Sequence, residues 1–252
     1  MKNLPNILTL SNLFCGSVAC ILMAKDPDYL IFSVILICLS LTFDFFDGFV
    51  ARLTGASGEL GKQLDSLADV VSFGLFPGIL MISMMNASVP VHLPSHWGNS
   101  LIPGGETTYI NIFKYSGLLI SLFSALRLAK FNIDKEQAYY FKGLPTPANA
   151  IFIFSLAYIQ KKYEFEWLHN LWILLIITIL SSYLLIANLP LLALKFKNFT
   201  WKDNSLVFSF LLICIFLLVI IKILAIPVII FIYIILSIIF RKKIISNGIK
   251  TA

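Results

Sequence analysis

LIFSVILICLSLTFDFFDGFVAR, residues 30–52, begins as an apolar run and ends with two aspartates and an arginine. The run is long enough to cross the ~30 Å hydrocarbon core of a bilayer, which takes about 20 apolar residues in a helix. An ionised aspartate at bilayer depth costs about 2.5–3.5 kcal/mol on insertion scales, so such a residue usually marks function. The stretch therefore predicts a transmembrane helix whose end carries a functional site.

The composition extends this prediction to the whole chain. Of the 252 residues, 59% are hydrophobic and 13% are charged, and the mean hydropathy is +0.90, whereas a soluble domain carries about 25% charged residues. We place about eight spans at 8–24, 29–50, 66–86, 113–130, 147–160, 170–193, 206–221 and 224–240. The sequence predicts an all-α integral membrane protein, a polytopic helical bundle that forms a single membrane domain over residues 1–252.

The basic residues predict the orientation of this bundle. With the N-terminus inside and the spans alternating, most of the 19 Lys and Arg fall on the cytoplasmic side, as the positive-inside rule requires. We therefore expect a multi-pass protein of the cell membrane with both termini, and the acidic end of residues 30–52, at the cytoplasmic face. This bias and attraction to anionic membrane lipids explain the net charge of +6, so no nucleic acid partner is expected.

Two more aspartates follow in DFFDGFVARLTGASGELGKQLDSLADVVSFG, residues 44–74. Asp44 and Asp47 are three apart and Asp65 and Asp69 four apart, so each pair shares one face of a helix. A short Gly/Ser loop between the pairs predicts that the two helix ends meet. Four adjacent carboxylates cannot all stay ionised without cations, and hard divalent ions prefer oxygen ligands. Two such ions about 3.5–4 Å apart suit a phosphoryl displacement.

The residues between the aspartates fit the same chemistry. Gly48 follows Asp47, and Gly61 lies four residues before Asp65. Neither has a side chain, so a ligand or a second helix can approach the backbone closely. Arg52 lies one turn beyond Gly48 and is suited to bidentate contact with a phosphate. The alternative is that these acids form structural ion pairs at a helix end, but four Asp, two Gly and an Arg at this spacing favour a metal and phosphate site.

This pattern, D-x-x-D-G-x-x-A-R-(x)8-G-x-x-x-D-x-x-x-D, resembles the signature of the CDP-alcohol phosphatidyltransferase family. The fixed positions are matched by Asp44, Asp47, Gly48, Ala51, Arg52, Gly61, Asp65 and Asp69. The resemblance implies a six-helix membrane core, a homodimer, and displacement of CMP from a CDP-linked lipid by an alcohol. Residues 1–150 would hold the catalytic motifs, and residues 151–252 would supply additional helices, about two of them beyond the core.

The resemblance also implies roles for individual residues. Two ions, Mg²⁺ or Mn²⁺, would be bound by Asp44, Asp47, Asp65 and Asp69, and Asp69 would also be the general base for the incoming hydroxyl. The lipid nucleotide would be contacted by Gly48, Arg52, Gly61, Asn6 and Thr9, although capping of the first helix explains Asn6 and Thr9 about as well. The chain has Gly58 where a hydroxyl residue is expected three positions before Gly61. Thr54 or Ser57 is the candidate substitute.

Four segments of the sequence narrow the choice of acceptor alcohol. LPNILTLSN (4–12), LDSLADVVSFG (64–74), SALRLAKFN (124–132) and FKGLPTPANA (141–150) together resemble the membrane-embedded phosphatidylserine synthases of that family. The resemblance implies CDP-diacylglycerol and L-serine as substrates, with phosphatidylserine and CMP as products. The candidates for binding the serine carboxylate are the cations Arg127, Lys130 and Lys142. Positive-inside charge alone is the alternative for each, and Arg127 is the strongest candidate because it lies inside an apolar run.

Two rival interpretations remain open at the level of sequence. One is the same family with glycerol 3-phosphate or inositol as acceptor. The other is an ion-coupled transporter that uses Asp44 and Asp47 as a cation site, which predicts acids near the bilayer midplane and transport without CMP release. The clustering of the acids at one face favours the transferase.

Overall fold

Helices dominate this chain because apolar segments in a bilayer must satisfy their backbone hydrogen bonds internally. The computed structural model describes residues 3–55, 58–88, 113–133, 141–191 and 201–241, with the backbone alone at 141–142 and 201–206. Its α-helices are α1 (Leu4–Lys25), α2 (Leu30–Thr54), α3 (Glu59–Asp69), α4 (Phe76–Ser88), α5 (Leu118–Ile133), α6 (Thr146–Tyr163), α7 (Leu171–Ile186), α8 (Trp201–Ile221) and α9 (Ala225–Ile239).

Short segments join or extend these helices. A π-helical turn over Val70–Leu75 connects α3 to α4. The 3₁₀ turns are Pro27–Tyr29, Lys114–Gly117, Glu166–His169 and Lys222–Leu224. Two short strands, β1 (Phe141–Lys142) and β2 (Pro190–Leu191), pair antiparallel and tie the segment before α6 to the segment after α7.

The membrane prediction is confirmed. Five helical stretches in the described part of the chain are long and apolar enough to span a bilayer: Leu4–Lys25, Pro27–Thr54, Glu59–Ser88, Lys114–Ile133 and Val207–Ile239. Helix α7 is apolar but shorter. The span predicted at 170–193 is therefore too long at its C-terminal end, since α7 stops at Ile186 and the chain continues into β2, where Pro190 has no N–H to continue a helix.

The last of these stretches is a hairpin of two helices. Lys222 has a positive φ of 51°, a conformation that breaks the helix between α8 and α9. The ring centroids of Phe210 on α8 and Tyr233 on α9 lie 5.8 Å apart. These two residues lie on opposite sides of the break and at similar distances from it along the chain. The two helices therefore run antiparallel, as the separate spans at 206–221 and 224–240 predict.

Close contacts place α5 and the turn before it beside α4 and the π-helical turn that follows α3. A Cβ atom on Gly117 would lie 2.8 Å from the carbonyl oxygen of Gly78, and one on Gly74 would lie 2.9 Å from Cβ of Ser124. Small residues at these positions let membrane helices pack closely. Helix α1 packs against α2, α3 and the π-helical turn, so both acidic helices rest on the same neighbour.

Candidate metal centre

The aspartates of α2 and α3 meet in one cluster. Carboxylate oxygens of Asp44, Asp47 and Asp65 all lie within 4.8 Å of one another, and Asp44 is within hydrogen-bonding reach of Asp65 and of Asp69. Gly55 ends α2 in a left-handed conformation, with φ of 62°, which glycine adopts without strain. Helix α3 begins at Glu59, four residues after Gly55, and returns its two aspartates to those of α2.

The cluster suits a divalent metal. Asp47 and Asp69 are buried, and Asp44 and Asp65 are half-buried. The Oδ1 atom of Asp65 is buried and has no hydrogen-bond partner among the described residues, an arrangement that is costly without a counter-charge. Converging carboxylate oxygens are the ligands that Mg²⁺ and related hard cations prefer. The residues present therefore fit a metal ion held between α2 and α3.

Helix α1 contributes two hydrogen-bond donors to this cluster. The Thr9 hydroxyl donates to Asp47 Oδ2 at 2.5 Å, and the Asn12 amide Nδ2 lies 3.5 Å from Asp69 Oδ1. Thr9, which is predicted to contact the nucleotide, thus contacts the predicted metal ligand Asp47 in the structure. Asn12 was missed as a site residue. The available signal was its position in an apolar helix, three residues after Thr9 and on the same face.

The two predicted phosphate-binding residues of α2 lie beside the cluster. A Cβ atom on Gly48 would meet no atom within 4 Å, so the backbone next to Asp47 is open among the described residues. Arg52 is exposed, and its Nε donates to the carbonyl oxygen of Gly48 at 3.0 Å. An exposed guanidinium one turn from an open glycine can approach an anion bound above the carboxylates.

The other residues predicted to contact the nucleotide are Gly61, Asn6, Thr54 and Ser57. Gly61 and Asn6 are neighbours, because a Cβ atom on Gly61 would lie 3.4 Å from Asn6 Oδ1. Thr54 is exposed, and its hydroxyl donates to the carbonyl of its own helix at Val50. Ser57 lies outside the described residues.

Of the three predicted serine-binding cations, the structure brings Arg127 to the acids. Arg127 is only 7% exposed, and it lies close enough to Asp69 on α3 and to Tyr233 on α9 for electrostatic interaction. Its Nε has no hydrogen-bond partner among the described residues. Lys130, at the C-terminal end of the same helix, is exposed, and the side chain of Lys142 lies outside the described residues. The approach of Tyr233 was not predicted.

A polar clamp holds α5 against α3 at this level. The amide Nδ2 of Asn132 donates to Ser66 Oγ at 2.8 Å, and Lys62 Nζ donates to the carbonyl oxygen of Asn132 at 2.8 Å. Ser66 follows Asp65 directly in the chain. The clamp therefore fixes α5, which carries Arg127, relative to α3, which carries Asp65 and Asp69. This contact could not be predicted from the sequence, because it depends on the relative rotation of two helices.

Comparisons with known proteins identify the family of this chain. The model of the CDP-alcohol phosphatidyltransferase family matches residues 2–240. A CDP-diacylglycerol–serine O-phosphatidyltransferase of Helicobacter pylori is 29% identical over 83% of this chain and 78% of its own length. One of Mycobacterium leprae is 29% identical over 63% of this chain and 48% of its own. An archaetidylserine synthase of Methanothermobacter thermautotrophicus is 38% identical over 60% of this chain and 56% of its own.

Several of these curated relatives are thus matched over less than two thirds of their own length. The family match, by contrast, runs through every described helix and encloses the acid cluster, Arg52 and Arg127. The chain belongs to the CDP-alcohol phosphatidyltransferase family.

Proposed function

We propose that this protein transfers the phosphatidyl group of CDP-diacylglycerol to the hydroxyl of L-serine, giving phosphatidylserine and CMP. The observation that carries the proposal is the meeting of a carboxylate cluster with a buried cation, Arg127, which lies within electrostatic range of Asp69. The first supplies a metal and phosphate site, and the second supplies a partner for the carboxylate of an amino-acid acceptor. The names of the relatives support the same acceptor.

Asp44, Asp47, Asp65 and Asp69 would hold two divalent ions, Mg²⁺ or Mn²⁺. When bound, such ions neutralise the diphosphate and stabilise the charge that develops on the leaving group. Gly48 leaves open backbone beside the cluster, and Arg52 offers an exposed guanidinium there. These two residues would bind and orient the diphosphate of the lipid nucleotide.

Asp69 would act as the general base. It accepts the proton of the serine hydroxyl while that oxygen attacks the β-phosphorus, which bears the diacylglycerol. A new oxygen–phosphorus bond forms, the bond from the β-phosphorus to the bridging oxygen breaks, and CMP leaves with that oxygen. Asp69 is buried, which keeps bulk water away from the base.

Arg127 would bind the serine carboxylate. In serine only two carbon atoms separate the hydroxyl oxygen from the carboxylate carbon, so a cation beside the base is well placed to hold the other end of the acceptor. A buried guanidinium with an unpartnered Nε benefits from a bound anion. The fork of Arg also fits a carboxylate in a bidentate manner, which Lys cannot reproduce.

The site would lie at the cytoplasmic face of the cell membrane, where serine is available. Lys62, Lys130 and Arg241 lie at helix ends on the side of the acids predicted to be cytoplasmic. CDP-diacylglycerol would enter from the inner leaflet with its acyl chains among membrane lipids. Two chains would form a homodimer, for which the exposed apolar side chains of the bundle provide surface.

The test is CMP release from CDP-diacylglycerol by the purified full-length protein, with Mn²⁺ or Mg²⁺, in parallel with serine, glycerol 3-phosphate and inositol. We expect release with serine and phosphatidylserine as the lipid product by mass spectrometry. Release only with another alcohol would overturn the acceptor and the role of Arg127. No release with any alcohol, from protein that binds Mn²⁺, would overturn the transferase reaction.

A further inference from the structure

We propose that Asn12 is a positioning residue that fixes the orientation of the Asp69 carboxylate. The proposal rests on the proposed function for the role of Asp69, but it concerns a residue of α1 to which neither the sequence pattern nor the proposed mechanism gives a role. Asn12 is fully buried. Its side chain lies between the π-helical turn, α2 and the acid cluster.

The hydrogen bonds around Asn12 define which way its amide points. Its Oδ1 accepts hydrogen bonds from the hydroxyls of Ser40 on α2 and Ser72 in the π-helical turn, the latter at 2.7 Å. Its Nδ2 faces Asp69 Oδ1 at 3.5 Å. An ionised carboxylate only accepts hydrogen bonds. The opposite orientation would place Oδ1 against Asp69, so two oxygens would face each other without a proton between them.

The sequence builds this arrangement with a glycine. Gly16 lies one turn after Asn12 on the same face of α1, and a Cβ atom there would lie 2.1 Å from Ser72 Oγ. The absence of a side chain therefore lets Ser72 reach both Oδ1 and the main-chain oxygen of Asn12, the latter at 3.3 Å. Ser72 itself follows Asp69 by three residues. The π-helical turn that directly follows the predicted base thus carries a hydroxyl that orients the amide beside that base.

The consequence is a carboxylate held in one orientation. An amide donor on Oδ1 restricts rotation of the Asp69 side chain, so its other oxygen is presented to the reacting groups in a constant direction. Partners of this kind typically change activity or metal affinity by 10- to 100-fold when removed. The Thr9 hydroxyl makes a shorter contact to Asp47, at 2.5 Å, so α1 contributes a donor to one carboxylate of each acidic helix.

The first experiment compares Asn12→Ala with wild type in CMP release and in Mn²⁺ binding. We expect kcat to fall roughly 10- to 100-fold, the KM for serine and for CDP-diacylglycerol to change less than about twofold, and Mn²⁺ binding to weaken. Ser11→Ala is the matched control, since the Ser11 hydroxyl bonds only its own helix at Ile7 among the described contacts. Equal behaviour of the two variants would overturn the proposal.

A double-mutant cycle separates positioning from a general structural role. If Asn12 acts through Asp69, Asn12→Ala should weaken Mn²⁺ binding in the wild-type background and have little further effect in Asp69→Asn. Equal weakening in both backgrounds would overturn the proposal. Because the readout is metal affinity, it stays informative if serine proves not to be the acceptor.

A second variant covers the case in which Asn12→Ala does not fold. Ser72→Ala keeps the amide and removes one of its two hydroxyl donors, and the change introduces no atom near Gly16. We expect a smaller fall in kcat, roughly two- to tenfold on the scale of one neutral hydrogen bond, with KM values unchanged. A folded Ser72→Ala enzyme with wild-type kcat would contradict the proposal.

Discussion

Gln160 and the acid cluster lie at opposite ends of the bundle, and their buried polar atoms differ in how they are hydrogen-bonded. At the end of α6 away from the acids, the Gln160 amide donates to Ser88 Oγ and to the carbonyls of Met84 and Leu168, at 2.7–3.2 Å. At the acid end, Asp65 Oδ1 and Arg127 Nε are buried without a partner among the described residues. A buried polar group that is fully bonded stabilises the fold, whereas one left unbonded is costly unless a ligand, an ion or water bonds it.

Substitution of Asp69 is expected to have the largest effect on activity. Asp69→Asn removes the base while keeping the size of the side chain, so we expect CMP release to fall roughly 10²- to 10⁴-fold. The melting temperature should hold or rise, because one of several crowded carboxylates loses its charge. Purified variant and wild type would be compared in CMP release and in thermal unfolding. Activity within a few-fold of wild type would remove Asp69 from the mechanism.

Arg127→Lys tests the unbonded cation at the same end. Lys keeps the charge but cannot form the bidentate contact. A hydrogen bond to a charged group contributes about 1.5–3 kcal/mol, so we expect the KM for serine to rise roughly 10- to 100-fold. The KM for CDP-diacylglycerol should change little.

Lys130→Met is the matched control for Arg127, since Lys130 lies on the same helix and is exposed. We expect it to leave both KM values near those of wild type. A rise in the KM for the lipid substrate alone, in Arg127→Lys, would assign this cation to the diphosphate instead of the acceptor.

Gln160→Leu tests the end of the bundle away from the acids. It should lower stability and leave the reaction unchanged, which is the reverse of the effects expected for Asp69 and Arg127. The change leaves the Ser88 hydroxyl and two buried carbonyls with fewer donors, at a cost of about 1–3 kcal/mol. We therefore expect a lower melting temperature and an unchanged kcat per folded molecule. A loss of kcat without a loss of stability would show that this end is coupled to the reaction.

The features of this molecule that the sequence predicts are those set by residues close together in the chain. The positions of the spans and the meeting of Asp44, Asp47 and Asp65 depend on helix periodicity and one short turn, both of which are local. The roles of Asn12 and Asn132 depend on how whole helices rotate against each other, which hydropathy does not encode. The acid cluster could therefore be predicted from sequence, but its supporting hydrogen bonds could not.

The serine-binding candidates show the same limit. The apolar run around Arg127 favours it over Lys130 and Lys142 in the sequence, but the burial of Arg127 and the exposure of Lys130 follow from the packing of α5 against the π-helical turn. Tyr233 illustrates a second limit, because no motif links the C-terminal hairpin to the acids. The π-helical turn after Asp69 has no sequence signal of its own either, although such turns are frequent at functional sites.

The smallest expected effect belongs to the ion pair at the end away from the acids. Lys161 Nζ lies 2.8 Å from Asp28 Oδ1, and both side chains are largely exposed. Water and salt screen such a pair, and holding two flexible side chains together costs entropy. Asp28→Asn should therefore leave kcat unchanged and the melting temperature within about 1 °C of wild type, at low and at high salt. A larger, salt-sensitive drop would mean that this contact holds α6 against the turn between α1 and α2. The stability of that end would then depend on charge as well as on the buried bonds of Gln160.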